Sequence, residues 1–183
     1  MKTILQVEDD PNDVFFLQKA MKKMPVPNPI QIASDGQEAI DYLRGSGKFF
    51  DRSIFPFPSL VLLDLKLPYV VGLEVLQWIR TQNWTALPVL MLTASAQDAD
   101  VAAAYRLGAN GFLRKPSEAR ELEDMVKAIQ HFWLTHNALP DESFSESRMA
   151  ARVGLGSLQS LGRGAAAIMP AASAAPSHFE QRL

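Results

Sequence analysis

The chain has 183 residues, 48% apolar and 21% charged, with a formal net charge of -2, which suits one soluble globular domain with some chain left over and gives no basic stripe for nucleic acid. It has no cysteine, so disulfides and thiolate metal sites are excluded. No apolar run approaches membrane-spanning length, and the opening Met1-Lys2-Thr3-Ile4-Leu5 lacks the apolar stretch and cleavage site of a secretory signal, so a cytoplasmic location is expected.

Short apolar runs bounded by turn residues or charge predict strands at 3–7, 30–33, 60–63, 89–92 and 111–113. Between and after them, apolar residues three and four apart predict helices at 11–24, 36–43, 72–82, 97–107 and 117–136. Asp10-Pro11-Asn12-Asp13 reads as an N-cap, a proline at the first helical position and an acid in the first turn. Asp10 is therefore assigned to capping rather than to chemistry, and Asp35-Gly36 likewise opens a helix. Leu122, Val126, Ile129 and Trp133 form one apolar stripe on the last helix. His131, His136 and His178 share no metal-ligand spacing and are read as bystanders. Near residue 138 the dense Ile, Leu, Val and Phe pattern gives way to Ala, Gly, Ser and Arg. Residues 138–183 are expected to be a mostly disordered tail, too small and too poor in apolar bulk for a DNA-binding output domain.

Strict alternation of strands and helices implies right-handed crossovers and a parallel sheet covered on both faces. Ligands of such sheets bind beyond the carboxyl ends of the strands. Those ends carry Glu8-Asp9-Asp10, Asp64, Thr93-Ala94 and Lys115-Pro116. Clustered carboxylates form a hard-oxygen pocket suited to Mg²⁺, and without a cation they would repel one another. With it, Asp64 can attack phosphorus while the metal and Lys115 neutralise the phosphoryl group. The Thr93 hydroxyl can bond a phosphoryl oxygen, and the small Ala94 leaves access. Gly45-Ser46-Gly47-Lys48 lacks both the first glycine and the following hydroxyl residue of a phosphate loop, so it is not read as one.

Four segments, Ile4-Leu5-Gln6-Val7-Glu8-Asp9-Asp10-Pro11, Leu60-Val61-Leu62-Leu63-Asp64-Leu65-Lys66-Leu67-Pro68, Met91-Leu92-Thr93-Ala94 and Gly111-Phe112-Leu113-Arg114-Lys115-Pro116, occur in this order. Together they resemble the signatures of CheY-type response-regulator receiver domains. The resemblance covers roughly residues 2–136 and implies a flavodoxin-like α/β fold, with a five-stranded parallel sheet in order 2-1-3-4-5 and five helices on its two faces. The change in composition near 138 sets the receiver at residues 1–137, and the resemblance implies that Glu8, Asp9, Asp64 and the Lys66 backbone carbonyl hold Mg²⁺. Asp64 is then the phosphoacceptor, and Thr93, Ala94 and Lys115 contact the phosphoryl group. The resemblance further implies that Thr93 and the ring at Phe112 form a switch, and that a cis peptide bond before Pro116 aims Lys115 into the site.

More narrowly, the connection 45–58 and the pair Phe132-Trp133 resemble stand-alone receivers that partner bacterial phytochrome-type histidine kinases. That likeness implies a kinase partner, and with no effector domain expected to follow, output is expected through a homodimer or docking to a partner at the face of the fourth and fifth helices and the last strand. Two positions depart from the family pattern. Val71 stands where a capping side chain is usual, and Phe112 stands where many members have Tyr, so its ring can fill space but cannot donate a hydrogen bond. These departures leave open a receiver-shaped docking module that is never phosphorylated. An aspartyl-phosphate hydrolase of the haloacid-dehalogenase type needs an acid two residues after its nucleophile, where this chain has Lys66.

Overall fold

The computed structural model describes residues 2–24, 28–82, 84–94 and 97–138. Apart from Ala138, the expected tail lies outside the described residues. Five strands, β1 (Ile4–Val7), β2 (Ile30–Ala33), β3 (Leu60–Leu63), β4 (Val89–Thr93) and β5 (Gly111–Arg114), alternate with five helices, α1 (Pro11–Lys22), α2 (Gly36–Arg44), α3 (Gly72–Thr81), α4 (Asp98–Arg106) and α5 (Ala119–Ile129). All strand pairs are parallel and the order is β2-β1-β3-β4-β5. The 2-1-3 reversal opens a crevice at the carboxyl ends of β1 and β3.

Side-chain alternation along the strands divides the core in two. Leu5, Val7, Val61, Leu63, Val89 and Met91 pack with residues of α2, α3 and α4 on one face. Ile4, Leu60, Leu62, Leu90 and Leu92 pack with α1 and α5 on the other. The central strands β1, β3 and β4 are buried throughout, whereas the edge strands β2 and β5 are mostly half-exposed. Gln6 interrupts this apolar pattern: it is buried, and its side-chain carbonyl has no partner among the described residues.

The helix starts follow the capping chemistry read from sequence. Asp10 Oδ1 accepts from Asn12 N at 2.7 Å, and Asp35 Oδ1 accepts from Glu38 N at 2.7 Å. Val71 supplies no side-chain cap to α3. The Gly72 N–H instead donates to the Leu65 carbonyl at 3.0 Å, tying the helix start to the loop after β3.

The last helix differs from the single run expected at 117–136. Glu118 is still extended, α5 begins at Ala119, and a π-helical turn, Gln130–His136, follows Ile129. The Lys2 ammonium donates to the Leu134 carbonyl at 2.7 Å, binding this wider turn to the chain's start. Five residues of wide turn bring the His131 and His136 rings together, Nε2 to Nε2 at 3.1 Å. This contact was not expected from α-helical spacing, and neither ring belongs to a candidate metal group among the described residues. Val126 and Ile129 are buried, and Leu122 and Trp133 pack against the same core, as the apolar stripe required.

Arg80 near the end of α3 holds the far side of the sheet together. All its N–H groups are engaged: Nε and Nη2 with the Gly108 carbonyl at 3.0 and 2.8 Å, Nη1 with the Trp84 and Leu87 carbonyls, each at 3.0 Å, and Nη2 also with Asn110 Oδ1 at 2.9 Å. Truncation strands several half-buried carbonyls, and lysine cannot reproduce the planar fork. Arg80→Ala is expected to destabilise by about 3 kcal/mol, with Arg80→Lys recovering less than about half, as read by urea unfolding. A loss below about 1 kcal/mol would show that these bonds are replaced by water.

Candidate functional site

The carboxyl ends of β1, β3 and β5 converge on one pocket. The Asp64 N–H donates to the Val7 carbonyl at 3.0 Å, and the Lys115 N–H donates to the Thr93 carbonyl at 2.8 Å. The backbone thus sets these side chains at neighbouring strand ends. One carboxylate oxygen from each of Glu8, Asp9 and Asp64 lies within 4.8 Å of the others. Glu8 and Asp64 are buried and Asp9 is exposed. Asp64 Oδ1 accepts from the Leu65 N–H at 2.6 Å, which orients the carboxylate and leaves Oδ2 toward Lys115, 3.3 Å away. The Lys115 ammonium also bonds Glu8 Oε2, and Asp13 Oδ2 at 2.8 Å.

Several acids thus share one ammonium in a mostly buried setting. Burial pushes the Glu8 carboxyl up to about 7, with the Asp64 charge adding to the rise and Lys115 opposing it. Burial also works against the Lys115 charge, but its bonds to Asp13 and Glu8 and the Asp64 charge more than offset this, holding the ammonium above the usual lysine range. The donor set, carboxylate oxygens with no sulfur or imidazole, fits a hard divalent cation such as Mg²⁺ or Mn²⁺.

Because the raised Glu8 value favours the protonated acid in the folded, metal-free protein, protons compete with the cation below about pH 7. Its stabilising effect on the metal-free fold is complete below the unfolded carboxyl value near 4.5 and is lost as pH rises through about 7. Metal affinity runs the other way. It should fall roughly tenfold per pH unit below about 6.5, with uptake of metal releasing a proton. Calorimetric Mg²⁺ titrations in buffers of differing ionisation enthalpy measure both, and a pH-independent affinity between 5.5 and 7.5 would contradict the assignment.

Thr93 is buried at the end of β4, and Ala94 beside it is exposed. Phe112 is half-buried and packs on the core face shared by α2, α3 and α4. Lys66 is exposed on the loop after Asp64. The expected cis bond before Pro116 is a correction: the described residues contain no cis peptide bond. Trans is the intrinsically favoured form, and Lys115 reaches the acids from it.

Three features at the site were not foreseen. Asp13 is a partner of Lys115 as well as a first-turn acid, a juxtaposition across 102 positions that only the folded chain makes. Gly72 backs onto Asp64, where a Cβ would lie 2.0 Å from the Asp64 carbonyl oxygen. Tyr69 is 87% exposed with φ 64°, in a tight turn closed by Val70 N–H to the Pro68 carbonyl at 2.8 Å.

Comparison with known proteins places this geometry. Residues 4–127 match the response regulator receiver domain. The chain belongs to the response regulator receiver family. The receiver is similar to the probable methanogenesis regulatory protein FilR2 of Methanothrix harundinacea, 38% identical with 75% of this chain and 86% of the relative covered. It is also similar to response regulator Rcp1 of Synechocystis, 36% identical with 76% and 93% covered. A crystal structure of the Mn²⁺-bound form of Rcp1 superposes with a TM-score of 0.70, covering 77% of this chain and all of that one (100%). The phosphorylated cyanobacterial phytochrome response regulator RcpA superposes with a TM-score of 0.71 at 35% identity, covering 76% and 99%. As a receiver, the chain is a signalling component of two-component systems and not a conventional enzyme. No helix among the described residues is long and apolar enough to cross a membrane.

Proposed function

We propose that Asp64 accepts a phosphoryl group from the phosphohistidine of a histidine kinase, and that the modified receiver signals through protein contacts. The observation that carries this reading is the convergence of Glu8, Asp9, Asp64 and Lys115 at the strand ends of a receiver fold. Glu8, Asp9, Asp64 and the Lys66 backbone carbonyl would hold Mg²⁺. When bound, the ion supplies the positive charge that lets a carboxylate approach an anionic phosphoryl group.

The remaining steps belong to the chain's own residues. Asp64 attacks phosphorus as the bond to the histidine nitrogen breaks, and that nitrogen leaves with the electron pair. Lys115 neutralises charge on the transferring oxygens, the Thr93 hydroxyl donates to one of them, and the small Ala94 leaves them room. Movement of Thr93 toward the phosphoryl group and of the Phe112 ring behind it forms the switch, a population shift between two packings.

The kinase is of the phytochrome type in this reading, supported by the likeness to RcpA and Rcp1. Residues 1–137 constitute the receiver in this reading, and it acts in the cytoplasm. Output passes through a homodimer or a docked partner, an idea supported by Tyr105 and Phe132, both large and exposed.

Incubation with acetyl phosphate, with Mg²⁺ or with chelator, followed by peptide mass spectrometry, tests the assignment. The expected result is one Mg²⁺-dependent acyl phosphate, on Asp64. A label elsewhere, or one indifferent to Mg²⁺, would sink it, and no label from several donors would favour the unphosphorylated docking module.

A further inference from the structure

Lys115 poses a conflict within the site. Two of the three carboxylates it bonds, Glu8 and Asp64, are also members of the acidic group suited to the cation. Its side chain is only 12% exposed, so an ammonium driven off those oxygens without another partner would be left buried and unpaired. Asp13 is the third partner, at 2.8 Å, and it stands outside the converging acidic group.

Its placement follows from α1. The Asp10 cap and Pro11 start the helix so that Asp13 falls in the first turn, where the helix favours a carboxylate. Its side chain is 40% exposed, so keeping its charge costs little solvation.

We propose that Asp13 is a positioning residue: it gives the Lys115 ammonium a carboxylate away from the metal ligands, so that lysine and a divalent cation occupy the acidic pocket together. The inference rests on the reading of Glu8, Asp9 and Asp64 as metal ligands. Without Asp13, the ammonium has only Glu8 and Asp64 among its observed acidic partners, and a cation must displace it from both. Asp13 thereby sets the metal affinity through Lys115, although it does not touch the metal.

The test is a double-mutant cycle on Mg²⁺ affinity by calorimetry, using the full chain, with Mn²⁺ electron paramagnetic resonance as a second readout. Asp13→Asn is expected to weaken Mg²⁺ binding about fivefold, and Lys115→Gln to tighten it. In the Lys115→Gln background, Asp13→Asn should change the affinity by less than about twofold. An equal weakening in both backgrounds would mean that Asp13 acts only as a nearby negative charge, which overturns the inference and leaves the metal site standing. Equal affinity of wild type and Asp13→Asn overturns it too. Failure of the wild type to bind either ion would instead remove the metal-site reading, and the inference with it. Thermal melts of each variant establish that it is folded, and Lys115→Met replaces Lys115→Gln if that variant is not.

Discussion

Asparagine at position 64 is expected to eliminate phosphoryl labelling while leaving the receiver at least as stable as before. The side chains are nearly isosteric, and the Asn carbonyl oxygen can still accept the Leu65 N–H that Asp64 Oδ1 accepts at 2.6 Å. What disappears is the nucleophilic carboxylate and one of the negative charges gathered around Lys115. Asp64 raises the Glu8 value by repulsion, and the acids outnumber the single ammonium. Removing one charge therefore relieves repulsion and brings Glu8 back toward its ordinary range, offsetting the weakened 3.3 Å contact with Lys115. Asp64→Asn should show labelling down at least about a hundredfold, weaker Mg²⁺ binding, and a stability change between zero and about +1 kcal/mol. A variant that loses labelling together with several kcal/mol of stability would show a structural role for Asp64 instead.

Alanine at position 72 should produce the opposite combination, a large structural loss that reaches the site. A Cβ there would lie 2.0 Å from the Asp64 carbonyl oxygen and 3.0 Å from the Leu65 Cα. Both obstacles are backbone and cannot swing aside, so either β3 or the start of α3 must move. Gly36 meets the same loop from α2, where a Cβ would stand 1.9 Å from the Val70 carbonyl oxygen, so the loop has little room to retreat. Gly72→Ala is expected to cost roughly 3 kcal/mol, and the displaced Asp64 should slow phosphorylation by at least about tenfold. Gly47→Ala is the contrast. Position 47 has φ 59° with nothing within 4 Å of a Cβ, so only the backbone strain of about 1 kcal/mol should appear, with labelling unchanged. Equal losses at 72 and 47 would show that the close approach to Asp64 does not matter.

Much of the arrangement was legible in local sequence. β3 coincides with the apolar run at 60–63, because a buried strand of a parallel sheet must be apolar on both faces, and the half-exposed edge strand β2 coincides with the run at 30–33. The starts of α1 and α2 were fixed by Asp10 and Asp35, whose short side chains close onto backbone N–H groups two and three residues ahead. The errors fall where distant residues decide. The π-helical turn at the end of the last helix is bonded at the Leu134 carbonyl by Lys2, 132 positions away, and periodicity over 117–136 carries no sign of such a contact. The Pro116 bond was assigned by family resemblance, and the structure holds it trans.

For the site itself, the sequence alone determined the inventory: acids after the first and third apolar runs, a threonine after the fourth and a lysine after the fifth. Residue type and strand-end position are local properties, and a parallel α/β sheet sends every strand end to one edge. Only the tertiary structure decided how the charges are shared. It set Asp13 of α1 against Lys115 of β5's far end, buried Glu8 enough to raise it to about 7, and pressed Gly72 onto Asp64. These outcomes depend on packing between elements far apart in the chain, where a shift of an ångström changes a bond, a charge state or a clash.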